Sequence, residues 1–178
     1  WEAAMAQNLL IGSLSYEGRL WEVTALAMQL LTTPRDRGNA YWDTELRTRQ
    51  TLVWLAQDAP SEAVRQADEG IARWSHEGFH RQHYNHVLAH VQAAIYQGDA
   101  ETGWRRLEAN WTAITRSQLL RVQWTRIEAS YGRARCALSM AQSSRRSGPF
   151  LSIALSEARG IRRERMSWSD PIADVIGH

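Results

Sequence analysis

Five of the six histidines fall in one short stretch: His76, His80, His83, His86 and His90. His83, His86 and His90 are spaced three and four apart, so on an α-helix they share one face. Imidazoles at i and i+4 can meet one metal ion. A zinc site usually needs a third or fourth ligand and outer acceptors, and no Asp or Glu occurs from 79 to 97. The stretch is therefore read without a metal and without a cofactor. Its imidazoles flank a core face or form a stripe that meets a partner.

Other reactive side chains are sparse. Cys136 is the single cysteine, so no internal disulfide forms, and its neighbours Arg135, Ala137 and Leu138 suggest a helix and a small buried group. Ser, His and Asp occur, but no nucleophile elbow, Walker loop or dinucleotide glycine pattern accompanies them. Carboxylate neighbours such as Asp68-Glu69 read as solvated helix surface. Asn110-Trp111-Thr112 matches a glycosylation sequon but falls within an expected helix. No catalytic residue is assigned, and the chain is not expected to be an enzyme.

The elements that carry these residues follow from an internal period. Val64, Ala67, Ile71 and Trp74 make one helical stripe, and forty positions on stand Trp104, Leu107, Trp111 and Ile114. The turns repeat at the same spacing, at Gly18, Asp58 and Gly98. Gln97-Gly98-Asp99-Ala100 reads as a helix-stopping glycine and an Asp cap for the next helix. Gln57-Asp58-Ala59-Pro60 reads as a stop, an Asp cap and a Pro near a helix start. Tyr16-Glu17-Gly18-Arg19 is the third instance, followed by a stripe that keeps Ala27 and Leu31 but breaks at Thr24 and Pro34.

Apolar faces also precede the turns, such as Tyr84, Val87, Leu88, Val91, Ala94 and Ile95. The chain thus reads as helix pairs over 2–16 with 20–32, 39–56 with 60–75, 80–97 with 100–115, and 117–142 with 149–165. The pairs span about 2–32, 39–75, 80–115 and 117–165. Residues 143–148, polar and ending at Pro149, read as a flexible loop. Ser169-Asp170-Pro171 reads as a cap and start for a further helix. No segment alternates with period two between turn residues. The expected fold is all-α: a right-handed stack of antiparallel helix hairpins forming one domain over 1–178. An isolated hairpin buries too little surface, whereas stacked hairpins share a continuous core.

Composition agrees. Hydrophobic residues are 44% and charged residues 22% of 178, enough for a packed core. No apolar run approaches the ~20 residues that cross a bilayer, so no membrane is expected and a cytoplasmic location is. The net charge of +2 argues against nucleic acid. All 21 Lys and Arg residues are Arg, and nine Trp residues are present. Arg offers a planar fork for carboxylates and stacks on aromatic rings. The chain begins with Trp1, which reads as a fragment or processed chain of a longer protein.

The helix pairs resemble tetratricopeptide repeats. That motif has a tight Gly turn and a small residue five positions on, as at Gly18 to Val23, Asp58 to Ala63 and Gly98 to Gly103. The period of forty exceeds the ~34 of the motif, which longer helices would supply. Two stretches are narrower: Trp74-Ser75-His76-Glu77-Gly78-Phe79-His80-Arg81-Gln82-His83-Tyr84, and Ser117-Gln118-Leu119-Leu120-Arg121-Val122-Gln123 with Arg126-Ile127-Glu128-Ala129. With Gly98-Asp99 they resemble the C-terminal repeat regions of large bacterial serine/threonine protein kinases. No kinase motif is present, so the resemblance implies the non-catalytic part of such a signalling protein.

In tetratricopeptide stacks the first helix of each pair lines a groove. His83, His86 and His90 lie roughly 80–140° from the core direction set by Tyr84, Val91 and Ile95, at about 100° per residue. The same angular position holds Gln123, Arg126, Ser130 and Arg133 on the fourth pair, and Arg47 and Trp54 on the second. The expected partner-binding groove is therefore Arg47, Trp54, His83, His86, His90, Gln123, Arg126 and Arg133. It would be basic, imidazole-rich and almost without acids, suited to an acidic peptide or a C-terminal carboxylate. The expected function is a non-catalytic protein-interaction scaffold. The alternative is a small-molecule-sensing repeat domain of an ATPase-type transcriptional regulator, which calls for a deep pocket lined by Trp and Arg.

Overall fold

Three turns organise the chain. Gly18, Asp58 and Gly98 have φ of 72°, 55° and 75°, the left-handed region where a Cβ clashes and glycine is at no disadvantage. The same two backbone bonds close each turn. The left-handed residue donates to the carbonyl three back, at Ser15, Leu55 and Ile95. The residue after it donates to the carbonyl five back, at Leu14, Trp54 and Ala94. These are glycine-type helix stops, each forty residues from the next. Asp58 takes the strained position without being glycine, and its carboxylate accepts a hydrogen bond from the Tyr96 hydroxyl at 2.9 Å.

The computed structural model describes residues 2–32 and 40–178. The expected stripe break at Pro34 and the start of the second pair at 39 lie outside them. The helices are α1 (Glu2–Tyr16), α2 (Leu20–Thr32), α3 (Ala40–Arg49), α4 (Thr51–Leu55), α5 (Pro60–Ile71), α6 (Arg81–Tyr96), α7 (Ala100–Arg116), α8 (Gln123–Ser143), α9 (Ser147–Arg163) and α10 (Asp170–Gly177). A short 3-10 helix, Gln118–Arg121, precedes α8. No strand occurs among the described residues. No described helix is long and apolar enough to cross a membrane.

Local chemistry accounts for several boundaries. Asp99 caps α7 by accepting from the Thr102 amide at 3.1 Å. Pro60 occupies the first turn of α5, where its missing N–H costs nothing. The cap itself is Ala59, because Asp58 is committed to the turn. The segment expected as one helix over 39–56 is broken at Gln50 between α3 and α4. The helix expected to reach 75 stops at Ile71, which leaves Trp74 outside it. The loop expected over 143–148 is shorter, because α9 starts at Ser147 and takes Pro149 into its first turn.

Consecutive helices pack against each other: α1 with α2, α3 and α4 with α5, α6 with α7, and α8 with α9. Further contacts join α3 with α6, α6 with α8, α5 with α6 and α7 with α8. The forty-residue stripes face inward. Ala67, Leu107 and Ile114 are buried, and Val64, Ile71, Trp74, Trp104 and Trp111 are half-buried. One core cluster joins α1 to α4 through Ile11, Val23, Ala27, Leu46 and Val53. A second joins α6, α7 and α8 through Tyr84, Val91, Leu107, Ile114, Ala129 and Cys136. A third joins α8, α9 and α10 through Ile127, Ala154, Ile161 and Ile176.

Candidate functional site

One face of α8 mixes apolar and charged side chains. Trp124, Ile127, Glu128, Tyr131 and Arg135 recur three or four residues apart, so they stand in one row. That row borders a cleft of about 330 Å³. Opposite it are Ile11, Gly12 and Ser15 of α1, Arg49 of α3, Gln50, Leu52 of α4 and Gln92 of α6. Trp168 and Ile172 complete the lining. The Trp124 and Trp168 rings lie 5.0 Å apart at 36°, and the Arg135 guanidinium sits 5.5 Å from the Tyr131 ring. Apolar walls with a few placed polar groups are the usual make-up of a ligand site.

Charge beneath the cleft is arranged in a buried network. Glu45 is 1% exposed. Its Oε2 accepts from Asn85 Nδ2 at 3.2 Å, and Arg81 Nε and Arg49 Nη1 approach Oε1 at 3.4 and 3.8 Å. Glu128 is half-buried, with its Oε2 sealed from solvent. Burial raises the Glu128 carboxyl above the usual range, while Arg49 and Arg81 pull against that shift. Loss of solvation disfavours the charged form more than these cations favour it. Arg135 has no carboxylate partner among the described residues; its contact is with Tyr131.

None of the eight residues expected to line a partner-binding groove borders this cleft. Most of the eight have partners of their own. Arg47 pairs with Asp43 at 3.1 Å and reaches Gln66 and Glu69 of α5. Trp54 is buried. His83 accepts from the His80 amide at 3.0 Å and stacks on Phe79. Gln123 and Arg126 both bind Glu164. Arg133 bridges Glu108 and Glu157, and its guanidinium lies 4.4 Å from the Trp111 ring centroid. The expectation of a face almost without acids is corrected. Every Arg of the set has a carboxylate, supplied in part by the second helices α5, α7 and α9.

His86 and His90 are answered from the same direction. Asp68 of α5 presents Oδ1 at 2.7 Å from His86 Nε2 and 2.8 Å from His90 Nε2. Burial lowers the His86 imidazole from its ordinary value, against the pull of Asp68. For Asp68 burial acts upward, but the two imidazoles outweigh it and hold the carboxyl below its usual range. Cys136 is wholly buried, and burial pushes its thiol up to about 12, so it stays a packing group. Asn110 lies inside α7, where its amide donates to the Arg106 carbonyl.

Comparison with models of protein families, with curated proteins and with solved structures finds no match.

Proposed function

We propose that this chain is a non-catalytic interaction scaffold whose cleft receives a segment of a protein partner. The observation that carries the reading is the cleft itself. Its walls draw side chains from α1, α3, α4, α6, α8 and α10, so separate helices contribute to one surface. We read those pairs as a tetratricopeptide-like, right-handed stack of about four. Support comes from the three identical turns at Gly18, Asp58 and Gly98 and from the packing of α3 on α6 and α6 on α8. Arg49 and Arg135 favour an acidic side chain or a C-terminal carboxylate. Trp124 and Trp168 favour an apolar or aromatic neighbour. The resemblance to kinase-associated repeats suggests a regulatory, cytoplasmic part of a bacterial signalling protein.

The test is an array of peptides that end in an acidic or free-carboxylate residue, probed with the purified chain. Peptides that bind should be lost in Arg135→Ala and Trp124→Ala and kept in Arg126→Ala. An array without a hit, or hits indifferent to the cleft variants, would contradict the reading.

A second reading is favoured by one observation. At about 330 Å³ the cleft falls at the lower end of small-molecule pockets, ~300–1,000 Å³, and it has both Trp and Arg in its walls. A small ligand would then bias an attached effector, as in a sensing domain of an ATPase-type regulator. A thermal shift with carboxylate-bearing metabolites, absent with every peptide, would decide for this reading.

A further inference from the structure

We propose that Asp68, His86 and His90 bind a divalent cation of the zinc class across the α5–α6 boundary. The two imidazoles stand one helical turn apart, and both aim Nε2 at a single oxygen, Asp68 Oδ1. The three donor atoms all lie within 4.8 Å of one another. Zinc binds imidazole nitrogen and carboxylate oxygen at ~2.0–2.2 Å, which spaces tetrahedral neighbours roughly 3.3–3.6 Å apart. The contacts of 2.7 and 2.8 Å to Asp68 need to open by less than about 1 Å to admit the ion.

The donor set selects the class of cation. Two imidazoles and a carboxylate suit Zn²⁺, with Fe²⁺, Co²⁺ and Ni²⁺ as competitors. Mg²⁺ and Ca²⁺ prefer oxygen donors throughout. Access and order are divided between the ligands. The His86 and His90 side chains are 16% and 21% exposed, whereas Asp68 is 53% exposed. The rings are therefore held by packing while the carboxylate faces the solvent from which an ion arrives. Three protein ligands leave one coordination position for water or an anion.

The placement also assigns a role. Helix α5 closes one expected pair and α6 opens the next, so the ion would staple two pairs together. A cation that binds only the folded chain raises its melting temperature by mass action.

The experiment titrates Zn²⁺ alone into the untagged, metal-stripped chain by calorimetry, with Co²⁺ as a spectroscopic substitute. The expected result is one ion per chain, a higher melting temperature reversed by chelator, and visible Co²⁺ bands of a four- or five-coordinate site. Asp68→Asn and His90→Gln should each weaken binding by more than the roughly 10–100-fold typical of losing an outer-shell partner. Metal-free melts of both variants establish that they fold, and the exposed Asp68 position serves if His90→Gln does not. Absence of saturable binding would overturn the proposal. So would variants that bind as tightly as the parent, which would put the ion on His76, His80 or His83.

Discussion

Arg126 and Glu164 form a two-pronged pair, Nε to Oε1 at 2.5 Å and Nη2 to Oε2 at 2.6 Å. The Arg126 Nη1 also donates to the Leu120 carbonyl at 2.7 Å. One guanidinium thus ties the start of α8 to the end of α9 and to the 3-10 helix before α8. Gln123 adds a bond from Nε2 to the Glu164 carbonyl at 3.0 Å.

This pair sets a pH dependence. Hydrogen bonding from Arg126 holds the Glu164 carboxyl below its usual range. A depressed folded-state value means the stability it contributes is present above the unfolded carboxylate value, ~4.3, and is lost as pH falls through the folded value. Thermal melts between about pH 5 and pH 3 should therefore show a shallower acid loss in Glu164→Gln than in the parent. Parallel slopes would remove the pair from acid unfolding.

Glu128 acts with the opposite sign. Its folded-state value is raised, chiefly by burial, so its contribution is full below the unfolded value and is lost as pH rises through the folded value. Glu128→Gln should melt higher than the parent at pH 7, and the difference should close near pH 4. A lower melting temperature at pH 7 would show that Arg49 and Arg81 depend on the charged form.

The turns and the packing glycine separate two glycine roles. Gly98→Ala places a Cβ at φ 75° and should cost about 1–2 kcal/mol in a denaturant melt. Gly103 has an unstrained backbone, and a Cβ there meets Ala94 Cβ at 3.5 Å and Val91 O at 3.6 Å, ordinary contacts. Gly103→Ala should be neutral or stabilise by up to about 1 kcal/mol through helix propensity. A large loss in Gly103→Ala would mean α6 and α7 approach more closely than these distances.

Within the second stripe, burial ranks the losses. Ile114 is 0% exposed, so Ile114→Ala should cost about 2–5 kcal/mol. Trp111 is half-buried, with Arg133 over its outer face. Trp111→Ala should fall at or below the ~3 kcal/mol lower bound for buried Trp truncation. Equal stability of Ile114→Ala and the parent would contradict the inward orientation of the stripe.

The sequence shows the three helix-stopping turns plainly because their cause is local. Gly18, Asp58 and Gly98 answer a backbone requirement that any chain must meet at that point, and Asp99 and Pro60 mark the helix starts next to them. The 3-10 helix before α8 also carries a marker: Ser117 Oγ accepts from the Leu119 amide at 3.3 Å. The break at Gln50 carries none, since no side chain caps α4 there. The ion pairs on the expected groove residues are hidden for the same reason. Angles around one helix locate the face that Arg126, Arg133 or His86 occupies, but not what a neighbouring helix brings to it. Glu164, Glu157 and Asp68 stand 38, 24 and 18 residues from their partners. The clue to the cleft was present in α8, where Glu128 and Arg135 interrupt the apolar row of Trp124, Ile127 and Tyr131. A carboxylate in such a row marks a face that is neither core nor free surface.

The most direct test of the cleft as the binding face is ¹H–¹⁵N NMR of the tryptophan indoles during titration with a peptide selected from the acidic array. Shifts confined to Trp124 and Trp168, with Trp74 and Trp111 unmoved, are the predicted result. Shifts centred on Trp74 or Trp111, with Trp124 and Trp168 unchanged, would contradict it.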